Sequence, residues 1–483
     1  QPVNLTREAV VPIAAAFARW LMQRTGKAQV RVAVGRDSRI SGPAIAGWAL
    51  EGLGAEGALC TDVSLASTPA MFMCTVLGAQ PFDGAVMVTA SHLPYNRNGL
   101  KFFTAEGGLG FHELDEVLDL AQSLEKESPR ATGEIVSTPF LPTYENHLKQ
   151  LIINGVDPEV QKPLLGLHVV VDAGNGAGGF YANMLEELGA WVEGSQFLEP
   201  DGHFPNHIPN PENADAMASI SAAVHKYDAD LGVIFDADCD RAAIVDHTGR
   251  EINRNRLIAL ISAILLEEMP GATIVTDSVT SSGLADFIQE WGGVHYRYKR
   301  GYRNVIDEAI RLNEAGVNCP LAIETSGHAA LRSNHFLDDG MYLVTVLLIK
   351  AMQLKQQGEE LSKLLDGLKE PVESREIRLN VIAEDFAPAA RQLIERLMEY
   401  ATEHEEWHIA PDNREGVRIS FDIDSHLNAA WFLLRLSVHD PVMPLNAESD
   451  VPGGVRYVLQ KLYEAIQDET DVVDLSPLRA ALQ

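Results

Sequence analysis

Cysteine is scarce in this sequence, and its scarcity is the first constraint. Cys60, Cys74, Cys239 and Cys319 are scattered with no CxxC spacing, so neither a disulfide framework nor a zinc site is indicated, and a reducing cytoplasm is the expected setting. Runs of Lys and Arg are also missing. With 38 Lys+Arg against 68 Asp+Glu the formal charge is −30, which repels nucleic-acid phosphates and anionic lipid, so no nucleic-acid or membrane partner is expected. No long apolar run is present either. The longest uncharged stretch, Val63 to Phe82, contains Pro69, Gly78 and Pro81 and reads as loop plus buried helix. There is no signal-peptide pattern. The chain opens at Gln1 without a methionine, close to a helical pattern, so a segment preceding it is expected.

What is there is a chain of 483 residues, 46% hydrophobic, enough for about three to five domains. On so acidic a protein, any phosphate site has to be built locally from Arg, Lys, backbone N–H groups and metal. Leu5 to Gln23 has helical spacing, and RVAVGRDSRISGPAIAGWAL gives a strand, a charged glycine turn and a helix. Arg36 and Arg39 lie in that turn, where they can either neutralise a phosphate or form a plain ion pair with Asp37. A helix is expected near Glu113 to Lys126, a linker from Ser128 to Pro142, and a helix from Tyr144 to Ile152. GLHVVVDAGNGAGG is a buried strand ending in glycine turns, but Gly174, Gly176, Gly178 and Gly179 do not follow GxGxxG, which argues against a dinucleotide site. Helices from Arg256 to Glu268 and Gly340 to Gln357 belong to a third unit. After Glu373, the strands IRLNVI, GVRISFDI and AWFLLRLSV with two helices suggest a smaller antiparallel α+β unit.

Three strand-terminal loops carry chemistry. In GAVMVTASHLPYNRNGLKFF the apolar run Ala85 to Val88 reads as a buried strand, which places Ser91, His92 and Lys101 on one loop, although Ser91 as an ordinary helix N-cap is the commoner fate of such a serine. Asp236, Asp238 and Asp240 follow the apolar run LGVIF at period two, a spacing that in extended backbone points three carboxylates to one side. A hard cation such as Mg²⁺ removes their repulsion. An EF-hand fails, because Arg241 and His247 stand where Gly and a carboxylate are needed. A phosphatase-like loop with Asp236 as nucleophile leaves Asp240 and Arg241 without a role. In ETSGH, alternation puts Glu324, Ser326 and His328 on one side, suited to sugar hydroxyls.

With these loops the sequence resembles, over nearly its whole length, the α-D-phosphohexomutase superfamily of phosphoglucomutases, phosphomannomutases and phosphoglucosamine mutases. TASHLPYNRNGLK is similar to the family's phosphoserine loop, DADCDR to its metal loop and ETSGH to its sugar loop, and GRDSRISG, VVDAGNGAGG and DGHFPNHIPNPE also resemble family stretches. The resemblance implies three similar α/β mixed-sheet domains (1–142, 143–255 and 256–371) and a smaller C-terminal α+β, TATA-binding-protein-like domain (372–483) around a central cleft. It implies that Ser91 carries the phosphoryl group, that Asp236, Asp238 and Asp240 hold Mg²⁺ with a phosphoserine oxygen, and that Lys101, Arg241 and His92 serve catalysis. Glu324, Ser326, His328, Arg435, Ser437 and Arg36 would bind substrate. The implied reaction interconverts hexose 1- and 6-phosphates of glucose or mannose, with a hexose 1,6-bisphosphate as activator, in a cytoplasmic monomer or homodimer. Phosphoglucosamine mutase, and a sugar-phosphate-binding homologue without turnover, are the alternatives. The chain departs from the family at the C-terminal phosphate clamp, where RLSVHDP keeps Arg435 and Ser437 but puts Val438 and His439 where glycine and threonine are usual. Ser278 and Tyr302 likewise replace the Lys and His usual in bacterial members.

Overall fold

The computed structural model describes residues 4–124, 133–437 and 440–483. It divides into two compact units, Gln1–Ile264 with Ser326–Leu364, and Leu265–Thr325 with Leu365–Gln483. Among the described residues no helix is long and apolar enough to cross a membrane, and all four cysteines are free and buried.

The first unit opens with six strands, β1 (Arg31–Arg36), β2 (Leu59–Leu65), β3 (Gly84–Val88), β4 (Leu100–Thr104), β5 (Gly107–Gly108) and β6 (Ile135–Ser137), in the sheet order β5-β4-β3-β1-β2-β6. β1 pairs parallel with β2 and β3, and its Val32 and Val34, like Val86 and Val88 of β3, are fully buried beneath the helices Arg7–Thr25, Gly42–Ala55 and Phe111–Leu124. Burial on both faces is why these strands read as continuous apolar runs. β4 then returns antiparallel along β3, with Lys101 opposite Met87. The expected N-cap role for Ser91 is therefore corrected, since a strand and not a helix follows its loop.

β6 corrects the expected linker, because Ile135 to Ser137 pair parallel with Cys60 to Asp62 of β2. All three residues of this edge strand are exposed, so no apolar alternation announces it. Residues 128–132 of that passage, and the expected helix end at Lys126, lie outside the described residues.

The next four strands are β7 (Val169–Asp172), β8 (Leu231–Phe235), β9 (Ala242–Asp246) and β10 (Glu251–Ile252), ordered β10-β9-β8-β7. β7 and β8 are parallel, whereas β8 and β9 form an antiparallel hairpin whose loop is the acidic stretch 236–241.

In the second unit β11 (Thr273–Thr276), β12 (Val294–Arg297) and β13 (Leu321–Ile323) run parallel in the order β12-β11-β13. The short hairpin of β14 (Ala329–Leu331) and β15 (Leu337–Asp338) belongs to the first unit, as does the buried helix Gly340–Gln356.

The second unit ends in an antiparallel sheet of β16 (Glu373–Asn380), β17 (His408–Ile409), β18 (Val417–Ile423), β19 (His426–Leu434) and β20 (Val442–Ser449), ordered β16-β20-β19-β18-β17. Alternate residues such as Val417, Ile419 and Phe421 share a core with helices Phe386–Glu403 and Gly454–Ile466. Trp407 packs edge-on against Phe421 and Phe432, and burying each such ring is worth about 1.5–3 kcal/mol. β20 is absent from the sequence reading. Pro441 and Pro444 read as strand breakers, yet Pro444 stands in an interior strand, opposite Arg378, and its carbonyl accepts from Arg435 N.

Candidate active site

Ser91 leaves the buried end of β3 with φ +50°, a left-handed conformation that costs a non-glycine residue about 1–2 kcal/mol. The loop fixes it there. Ser91 N–H donates to Thr89 Oγ1 (2.9 Å), and Thr89 donates to Asp37 Oδ2 (2.8 Å). Ser91 Oγ donates to Asp236 Oδ2 (3.1 Å), lies 3.3 Å from His92 Nδ1 and accepts from Arg241 Nη2 (3.2 Å).

The acidic loop is a tight turn and not extended backbone, with Cys239 at φ +65°. The period-two geometry is therefore corrected, but the turn still gathers Asp236, Asp238 and Asp240, whose candidate ligand oxygens all lie within 4.8 Å of one another. Two neighbours force this. Thr68 donates its N–H to Asp238 O (2.8 Å) and its hydroxyl to Asp238 Oδ2 (2.5 Å). From the other side, the glycine-rich turn after β7 packs against the loop so closely that a Cβ on Gly176 would lie 2.5 Å from Ala237 O and 2.7 Å from its Cα. The glycines of VVDAGNGAGG thus serve close backbone approach. Gly176→Ala is expected to destabilise the protein by about 1–3 kcal/mol and to weaken divalent-cation binding, as read by thermal unfolding with and without Mg²⁺.

The ion pairs at the site leave acceptor oxygens unused. Lys101 Nζ donates to Asp238 Oδ2 (2.8 Å) and Asp240 Oδ2 (2.6 Å), while Arg241 Nε donates to Asp236 Oδ2 (3.0 Å). Even so, among the described residues Asp238 Oδ1 and Asp240 Oδ1 are buried without a hydrogen-bond donor. Buried orphaned carboxylate oxygens are costly unless a cation takes them, so the donor set fits a hard divalent metal. Burial, then Asp240 and Asp238, push Asp236 well above the carboxylate range. Burial opposes the charge on Lys101, but Asp238 and Asp240 outweigh it and hold the ammonium well above its ordinary value. With its oxygens committed to Arg241 and Ser91, Asp236 is poorly placed as a phosphatase-type nucleophile.

Burial and the Arg241 guanidinium push His92 down to about 4, which leaves a neutral imidazole beside Ser91 Oγ. The charged form exists only below that value, so the pH–rate profile is expected to show no His92 limb between about pH 5.5 and 8. A limb near pH 6.5 that disappears in His92→Gln would contradict this.

ETSGH is likewise a turn and not a strand, with Gly327 at φ +93°, so the one-sided alternation of Glu324, Ser326 and His328 does not hold. Ser326 and His328 fall in the first unit, where the backbones of Arg241 and His328 form an antiparallel bridge. His328 Nδ1 lies 2.5 Å from Asp338 Oδ2. Burial disfavours its charge, but Asp338 and Asp240 raise it to about 9. The Arg36 side chain makes only a long 3.5 Å contact with Asp37 O among the described hydrogen bonds and is not brought to Ser91 by any of them.

In the second unit, Glu324 is buried and accepts from Gly301 N (2.6 Å). Arg435 is buried with Nη1 3.9 Å from Glu415, its Nε lacks an acceptor among the described residues, and Ser437 N donates to Val442 O (2.9 Å). Val438 and His439, the altered part of the clamp, lie outside the described residues. Ser278 donates to the same Glu415 (2.5 Å), and Tyr302 is exposed at a helix start.

Sequence reasoning does not single out Thr68, Thr89, Asn210, Glu212 or Asp338. Asn210 Oδ1 (3.4 Å) and Glu212 (3.7 Å) both face Arg241 Nη1. Their only advance signal is the stiff, proline-rich stretch that holds Asn210 and Glu212.

Known proteins match the chain along most of its length. Residues 1–127 match the family description phosphoglucomutase/phosphomannomutase, alpha/beta/alpha domain I, residues 142–249 match domain II, and residues 253–371 match domain III. A phosphomannomutase/phosphoglucomutase of Pseudomonas syringae pv. tomato is 31% identical over 448 residues, covering 92% of this chain and 88% of that protein. The crystal structure of a phosphoglucomutase/phosphomannomutase family protein from Burkholderia thailandensis superposes with a TM-score of 0.79 at 26% identity, covering 96% of this chain and 94% of that one. N-acetylphosphoglucosamine mutase of Aspergillus fumigatus, solved with GlcNAc-6P and magnesium, shares the fold at 13% identity and a TM-score of 0.53, covering 91% of this chain and 77% of that one.

Proposed function

The chain belongs to the phosphoglucomutase/phosphomannomutase family, and on that premise we propose that it interconverts hexose 1- and 6-phosphates of glucose or mannose by way of a phosphorylated Ser91. The observation that carries this reading is the convergence on Ser91 Oγ of Asp236, Arg241 and His92, beside two orphaned aspartate oxygens. The domain limits 1–142, 143–255, 256–371 and 372–483 form part of the proposal.

Asp236, Asp238 and Asp240 would hold Mg²⁺, which when bound neutralises phosphoryl charge. The chain's own residues supply the rest. Phosphoryl transfer needs in-line positioning and charge neutralisation more than covalent help. The P–Oγ bond of phosphoserine breaks as a bond from phosphorus to a sugar hydroxyl oxygen forms, and in the net balance the hydroxyl proton passes to Ser91 Oγ. Arg241 and Lys101, both held charged, would stabilise the transferring group or move protons. Neutral His92 is the uncharged base beside Oγ and supports that proton movement. The second half-reaction returns the other phosphate of the sugar bisphosphate to Ser91, so a hexose 1,6-bisphosphate primes the enzyme. Glu324, Ser326 and His328 are assigned to sugar hydroxyls, with Arg435, Ser437 and Arg36 assigned to phosphate.

The test is a coupled assay of glucose 1-phosphate, mannose 1-phosphate and glucosamine 1-phosphate with Mg²⁺ and bisphosphate. Turnover of glucose or mannose phosphate supports the proposal. Preference for the amino sugar overturns the substrate assignment, and saturable binding without turnover of any of the three overturns the reaction.

A further inference from the structure

Arg39 is a fully buried side chain at the foot of an exposed loop, and its guanidinium has five N–H groups to satisfy. Nε donates to Asp37 Oδ2 (3.0 Å). Nη1 donates to Pro94 O (2.8 Å) and Arg97 O (3.2 Å), and Nη2 to Ser91 O (2.5 Å) and Leu93 O (2.7 Å). All five donors are spent, four of them on carbonyls of the Ser91 loop. Arg39 therefore has no N–H left for a phosphate, which settles one of the two roles open to it from the sequence, and the ion pair with Asp37 is only part of the other.

The remaining contacts hold the guanidinium itself in place. Asp37 Oδ1 accepts from Arg39 N (3.0 Å), and Asp37 Oδ2 also takes the Thr89 hydroxyl that supports Ser91 N. One face of the guanidinium lies over the Phe204 ring, 5.1 Å from its centroid. The turn that carries Phe204 presses so close that a Cβ on Gly202 would sit 2.7 Å from Arg39 Cα. Leu93 to Arg97 are exposed and bring little packing of their own, so this buried fork is their main anchor.

We infer that Arg39 is a positioning residue for phosphoryl transfer: by gathering four carbonyls of residues 91–97 onto one rigid plane, it fixes the direction in which Ser91 Oγ points. The inference rests on the reading of Ser91 as the phosphoryl carrier. Lysine keeps the charge but has three donors and no plane, so it cannot reproduce the fork. A loop freed by about 1 Å loses on the order of 100-fold in rate, because in-line geometry, not substrate affinity, is what the fork supplies.

The test compares wild type with Arg39→Lys. Phosphate on Ser91 is measured by phosphopeptide mass spectrometry after incubation with glucose 1,6-bisphosphate and Mg²⁺, alongside kcat, KM, thermal unfolding and release of inorganic phosphate from the phosphoenzyme. Expected for Arg39→Lys is a kcat about 100-fold lower with KM within about threefold of wild type, and a larger share of phosphate lost to water. Free guanidinium at a non-denaturing concentration should partly restore kcat in Arg39→Ala. Wild-type kcat in a folded Arg39→Lys, or equal losses in kcat and affinity, overturns the inference. Wild-type protein that never gains phosphate on Ser91 overturns instead the reading beneath it. If Arg39→Lys does not fold, Thr89→Val decides. It keeps the shape of the buried side chain and removes the hydroxyl between Asp37 and Ser91 N, and a kcat lowered about tenfold at constant KM is expected, whereas an unchanged kcat contradicts the inference.

Discussion

Ser91→Ala is expected to remove mutase turnover by at least about four orders of magnitude, as loss of a nucleophile does when no other group can take its place. The fold should hardly notice. Ser91 is half-buried, the left-handed conformation it adopts costs alanine about as much as serine, and the hydroxyl lost belongs to the site and not to the core. Unfolding free energy should stay within about 0.5 kcal/mol of wild type. A steady-state assay paired with thermal unfolding checks both halves. The same variant separates the proposed chemistry from an aspartyl-nucleophile phosphatase, which would keep releasing inorganic phosphate through Asp236. Retained phosphate release in Ser91→Ala would favour that alternative.

The second large effect concerns the three carboxylates. In wild type, saturating Mg²⁺ should raise unfolding free energy by about 2.7 kcal/mol at 100 times the dissociation constant, because the metal binds the assembled cluster and not the unfolded chain. Asp238→Asn keeps the shape and the Thr68 contact but leaves two carboxylates where three now stand, while Lys101 stays beside Asp240. Metal affinity should fall at least 100-fold and kcat with it, and the Mg²⁺-dependent gain in stability should vanish. Without metal, the variant should be no less stable than wild type, since one buried anion with an orphaned oxygen has been removed. Differential scanning calorimetry with and without Mg²⁺ reads all of this, and an unchanged Mg²⁺ response in Asp238→Asn would contradict the metal assignment.

How much of this was legible in the sequence depends on scale. Buried parallel strands such as β1, β3 and β8 declare themselves as apolar runs, and the chemical loops follow at their ends where polar residues begin. The convergence of Ser91, Lys101, Arg241 and the aspartates came from a resemblance and not from spacing, because the loops are far apart along the chain and only the fold brings them together. Spacing even misled at two points. Period two in DADCD and ETSGH suggested extended backbone, and both stretches are turns, with Cys239 and Gly327 at positive φ. An exposed edge strand such as β6 has no apolar pattern to show, and β20 carries Pro444 and follows Pro441, which local rules read as breaks. Arg39 was visible as a charge in a glycine turn, but nothing in the sequence shows that its five donors close on one loop.

The account turns on one covalent bond. Incubating the protein with labelled glucose 1,6-bisphosphate and Mg²⁺, mapping the phosphopeptide, and then chasing with unlabelled glucose 6-phosphate tests it directly. The account predicts label on Ser91 that the chase returns to sugar bisphosphate. A folded, metal-loaded protein whose Ser91 peptide stays unlabelled, or whose label leaves only as inorganic phosphate, would contradict it.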